Sequence, residues 1–162
     1  MKIMLFAFTL LPAAATAAGP GSALSEADYR ALAALLVPRE VVAFPKEFTV
    51  FVRFEGAPAE AVMADLRKLY PRPMIVKAAG QDDRWDKMLG CTMDTATQTL
   101  AAVVTIHAPV WKDSAVASFS VDAVPCEISR RHDTFDVRRK GGAWALDDAG
   151  PQPASSAPGK SS

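Results

Sequence analysis

Two cysteines, two histidines and two arginine clusters hold most of the chemistry open to this chain. Cys91 and Cys126 are an even pair, and a bridge between them would close a loop of about 35 residues. By restricting the unfolded chain, such a loop contributes about 4 kcal/mol before any native strain is subtracted. A second chemistry for the same sulfur is a thiolate beside His107 or His132, as in a cysteine hydrolase. A third is copper(I), for which Met88, Cys91, Met93 and His107 supply the soft thioether, thiolate and imidazole set. Using Cys91 as nucleophile or ligand excludes the disulfide. In an exported protein the paired bridge is the expected use, so no metal and no cofactor is assigned.

His107, paired with an acid, could also move a proton in a small hydrolase or isomerase. The motifs that would support named catalysis are missing. There is no nucleophile elbow, no clustered zinc ligand set and no glycine-rich phosphate loop, and Gly141-Gly142 reads as a hairpin turn. No catalytic residue is assigned. Arg130-Arg131 and Arg138-Arg139-Lys140 bracket one strand and could meet an anionic surface. With Asp133, Asp136, Asp147 and Asp148 nearby, they also read as a solvated, charge-protected edge. Trp85, in the polar stretch 81–87, is the best exposed contact residue, while Trp111 and Trp144 read as core and rim packing. The candidate binding residues are therefore Trp85, His107, Trp111, Arg130 and Arg131.

The elements that must hold these groups follow from periodicity. Ser25, with an acid three residues on at Asp28, opens a helix whose Tyr29, Leu32, Ala33 and Leu36 share one face, and Pro38 is expected to end it. Phe48, Val50, Val52 and Phe54 alternate with Thr49, Phe51 and Arg53 as a strand. A second helix starts near Pro58, carries Val62, Leu66, Leu69 and Tyr70 on its buried stripe, and stops at Pro71-Arg72-Pro73. Met74-Ile75-Val76 could be a short extended piece, and 81–91 has no usable period and reads as a loop. Three alternating strands follow, around 102–107, 115–123 and 132–139. The Gly141-Gly142 hairpin then pairs Val137 with Leu146 and Arg139 with Trp144. That register sets Asp136 against Asp147, where pairing should fray.

The N-terminus reads as an export signal: Met1-Lys2, an apolar run from Ile3 to Leu11, then small residues through Ala18. Residues 1–17 form the signal, too short to remain as a span of roughly 20 residues, and residues 20–148 form one domain. Residues 149–162, rich in Gly, Pro, Ser and Ala, form a disordered tail. Losing Lys2 takes the net charge from zero to −1, which argues against nucleic acid as a partner. The expected fold is α+β: two helices packed on a four- to five-stranded antiparallel sheet with a C-terminal β-meander.

From Ile106 to Leu146, the strand, the Pro109-Val110-Trp111 step, the long alternating strand and the closing Gly-Gly-x-Trp-x-Leu hairpin resemble the end of small exported NTF2-like or cystatin-like domains. The resemblance covers about a quarter of the chain. It implies a sheet-and-helix scaffold of the kind that serves binding, inhibition and occasional catalysis. The expected function is thus an exported, non-enzymatic binding or accessory protein, periplasmic or secreted. It has no membrane span, and its partner is an envelope protein or a small ligand. The alternatives are the small hydrolase or isomerase and the copper-handling protein.

Overall fold

The computed structural model describes residues 24–70 and 75–147. The expected signal, the Pro71-Arg72-Pro73 stop and the C-terminal tail lie outside these residues.

The first helix, α1 (Glu26–Val41), begins as its sequence requires. The Ser25 hydroxyl accepts from the Asp28 amide at 3.2 Å and the Asp28 carboxylate accepts from the Ser25 amide at 3.0 Å, a reciprocal cap worth about 1 kcal/mol. Pro38 does not end it. The helix runs one further turn because the Pro38 carbonyl still accepts from the Val42 amide at 3.3 Å, and because Val37, Glu40 and Val41 are buried. Proline loses the bond its missing N–H would have made and crowds the carbonyl four residues before it, and the helix continues in spite of both. In α2 (Ala59–Leu69), Pro58 is the N-cap and Val62, Met63 and Leu66 are buried, but Leu69 turns outward, 51% exposed.

Among the described residues the sheet has nine strands and is mixed, not a purely antiparallel sheet of four or five. The strands are β1 (Thr49–Phe54), β2 (Ile75–Ala78), β3 (Asp83–Asp86), β4 (Cys91–Asp94), β5 (Thr99–Ile106), β6 (Val110–Trp111), β7 (Val116–Val124), β8 (Arg131–Lys140) and β9 (Ala143–Leu146). A short 3-10 turn, Glu127–Ser129, separates β7 from β8. Two differences account for the larger count. The helix α2 works as a crossover, which returns β2 parallel to β1, and β1 also lies parallel to β5. The stretch expected as a loop is the antiparallel hairpin β3–β4, whose strand β4 pairs with β5. Along one side of β5, Ala101 pairs with Thr92 of β4 and Val103 with Val124 of β7, so those two strands follow one another.

The C-terminal meander has the expected register, with Val137 opposite Leu146 and Arg139 opposite Trp144. β9 ends at Leu146; the Asp147 amide still donates to the Asp136 carbonyl at 2.9 Å, while the Asp147 carboxylate turns to Arg138. Trp144 closes the domain on α1: its indole N–H donates to the buried Asp28 carboxylate at 2.8 Å, and Arg139 lies 3.3 Å from the same group. Helices cover one sheet face, packing on Val50, Val52, Phe54, Val104, Ile106, Phe119, Val121, Phe135 and Val137. The other face carries Arg53, Thr105, Ser120, Asp122, His132 and Thr134.

Candidate binding site

The bridge between Cys91 and Cys126 is formed. It joins the start of β4 to the 3-10 turn, and backbone bonds lie beside it, from Thr92 N to Pro125 O at 2.7 Å and from Glu127 N to Gly90 O at 2.8 Å. Both sulfurs are thereby committed, so Cys91 offers no thiolate to a nucleophilic or copper site. Met88 is 96% exposed, and among the described residues no group of His, Cys, Asp and Glu is placed to hold a metal.

Against this bridge lies a cavity of about 230 Å³, lined by Ala43, Phe44, Pro45, Phe48, Pro125, Cys126, Ser129 and Arg131. Its walls come from the segment after α1 and from the turn before β8. Val42 and Ile128, each next to these walls in sequence, are almost fully exposed, as is Met88 on the neighbouring turn.

Arg131 is the charged group of the cavity wall. Its Nε lies 3.8 Å from Glu40 and its Nη2 lies 3.1 Å from Asp133. Glu40 is fully buried, and neither of its carboxylate oxygens has a hydrogen-bond partner. Burial pushes this carboxyl up to about 7, Arg131 pulls against the rise, and Asp133 adds to it.

The second polar constellation lies on the helix-free face. The His107 ring bonds Asp122 at 2.7 Å through Nε2 and Glu55 at 3.1 Å through Nδ1, and the His132 Nδ1 bonds the other oxygen of Asp122 at 2.6 Å. Glu55 also accepts from the Ala108 amide at 3.1 Å. The bond to Asp122 lifts His107 above its ordinary value; burial opposes this and Glu55 reinforces it. A ring with both nitrogens between carboxylates ties the end of β1 to β7. His107 thus lies beside acids, as the expected pairing had it, with both ring nitrogens already engaged.

The five candidate residues divide accordingly. Arg131 lines the cavity, and Arg130, one residue away, places its guanidinium 5.7 Å from the Trp85 ring centre on β3. Half-buried Trp85 is therefore a platform for that arginine, not an open contact. Trp111 packs against Trp144 at 6.0 Å between ring centres, on the rim of the core. His107 belongs to the other face. Sequence reasoning missed Glu40, although its signal was present: Leu32, Leu36 and Glu40 are spaced by four, which sets an acid on the apolar stripe once the helix continues past Pro38. Asp122 and His132 had no comparable signal, because only cross-strand pairing brings them together. Compared with known proteins, the chain matches no family model, no curated protein and no solved structure.

Proposed function

We propose that this chain is an extracytoplasmic, non-enzymatic binding or accessory protein whose ligand seats at the disulfide-held end of the domain. The observation that carries this reading is the cavity beside Cys126, apolar over most of its wall, with exposed Val42 and Ile128 next to its lining residues in sequence. The formed disulfide supports an oxidising compartment, as does the signal pattern at residues 1–17. Among the described residues no helix is long and apolar enough to cross a membrane.

The test is amide chemical-shift mapping of the exported protein with small apolar compounds, repeated on Ala43→Trp, which fills the cavity from its exposed lip. Shifts gathered at Phe44, Phe48, Ser129 and Arg131, and lost in the variant, are the expected result. Shifts gathered on the His107 face, or none at all, overturn the reading. Export is checked separately by intact mass, with a mature chain starting at Ala18 or Gly19 expected and a retained Met1 overturning it.

A further inference from the structure

We propose that the cavity beside the disulfide takes a small apolar carboxylate, its hydrocarbon body against Phe44, Phe48 and Pro125 and its charge on Arg131 and Ser129. This rests on the reading of that end as the binding end and names the class of ligand.

Volume sets the body. A cavity of roughly 150 Å³ accommodates benzene, so 230 Å³ has room for about nine non-hydrogen atoms. The polar groups of the wall set the head. Ser129 and Arg131 are the lining side chains able to donate a hydrogen bond, and no anion lines the cavity. Arg131 has donors to spare, because Glu40 and Asp133 face its Nε and Nη2 while Nη1 has no partner among the described residues. A planar guanidinium with a free donor beside a hydroxyl matches a carboxylate, whereas an ammonium would meet like charge.

Glu40 then gains a role. The charged groups acting on it are Arg131 and Asp133, both on β8. Neutral, Glu40 leaves the guanidinium to the ligand; ionised, it competes for the same charge. Binding should therefore weaken as pH rises through about 7, the value to which burial brings Glu40.

The experiment titrates the exported chain with hexanoate, hexanol and hexyltrimethylammonium at pH 6, read by amide shifts at the cavity. Hexanoate is expected to bind at least tenfold more tightly than hexanol, and the cation not at all. Arg131→Gln should lose about tenfold for hexanoate and nothing for hexanol. Ser129→Ala, at an exposed position that cannot disturb the core, should lose several-fold. Raising the pH to 8 should weaken hexanoate several-fold in the native protein and leave Glu40→Gln unchanged. A leucine-ended tetrapeptide, as free acid and as amide, separates the two sources of such a carboxylate. A free acid tighter than hexanoate assigns the site to a peptide C-terminus, and one no tighter assigns it to a free organic acid. Equal binding of hexanoate and hexanol overturns the carboxylate while the apolar binding end stands. If none of these compounds shifts the cavity residues, both readings fall.

Discussion

Asp94 and Glu40 are both fully buried acids, and they are treated in opposite ways. Asp94, on β4, accepts from the Thr49 hydroxyl at 2.9 Å, the Ala96 amide at 3.0 Å and the Lys77 ammonium at 2.9 Å. Desolvation would raise its pKa, but the bonds from Lys77 and Thr49 outweigh it and hold the carboxyl below its ordinary value. Glu40, on α1, has no hydrogen bond and is pushed up to about 7. A buried charge whose lone pairs are filled is part of the scaffold. One left unfilled costs stability, and it titrates where a filled one does not.

The bridge connects the two regions, since β4 carries Cys91 at one end and Asp94 at the other, while Cys126 lies in the cavity wall. Cys126→Ser should cost about 2 to 5 kcal/mol in denaturant unfolding and lower exported yield. The contrast between the acids predicts that Glu40 still titrates near 7 in the folded fraction; an ordinary value there would mean that the bridge itself creates the buried site. Asp94→Ala comes next, at about 3 kcal/mol, because it strands Lys77 and Thr49 without their acceptor. A loss under 1 kcal/mol would erase the distinction between filled and unfilled acids.

Glu40→Gln should act in the other direction. Between the unfolded value of 4.5 and the folded value of about 7, the folded state holds a proton that the unfolded chain has released, so native stability falls as pH rises through that window. The variant should match the native protein at pH 4 and exceed it by about 2 to 3 kcal/mol at pH 8. Thermal unfolding at the two pH values decides it, and a destabilised variant at pH 8 would show that the carboxylate is satisfied after all. The smallest effect belongs to His107, whose pKa is raised in the folded state. Its contribution is complete below about 6.5 and disappears as pH rises through the raised value. With the side chain 34% exposed, His107→Gln should cost under about 1 kcal/mol at pH 5.5 and nothing at pH 9.

Legibility followed the hydrophobic period. From Ala102 to Leu146 one face is buried and the other wet, so alternation marks the strands, and the two-residue glycine turn fixes their register. The hairpin β3–β4 could not be read this way. Asp82, Asp83, Arg84 and Asp86 leave no apolar face, and those strands form through pairing on β5 and the bridge at Cys91. Parallel pairing of β1 was equally hidden, because it depends on where α2 returns the chain. Thr49 and Phe51, on the face opposite Val50 and Val52, are buried as well, with Lys77 lying 5.7 Å from the Phe51 ring centre. Of the binding end, Arg131 and Cys126 were legible as residue types and their neighbour Glu40 was not, since Pro38 was taken as the end of the helix that carries it.

The bond from Trp144 to Asp28 spans 116 positions. The first helix of the domain therefore buries an acid whose partner, in the last strand, is among the final parts of the domain to be synthesised. Until β9 arrives, that carboxylate keeps its bonds from Ser25 but lacks the one from Trp144. Contacts of such long sequence separation slow folding and prevent its early completion. The domain is thus arranged to close late, once its last strand is present.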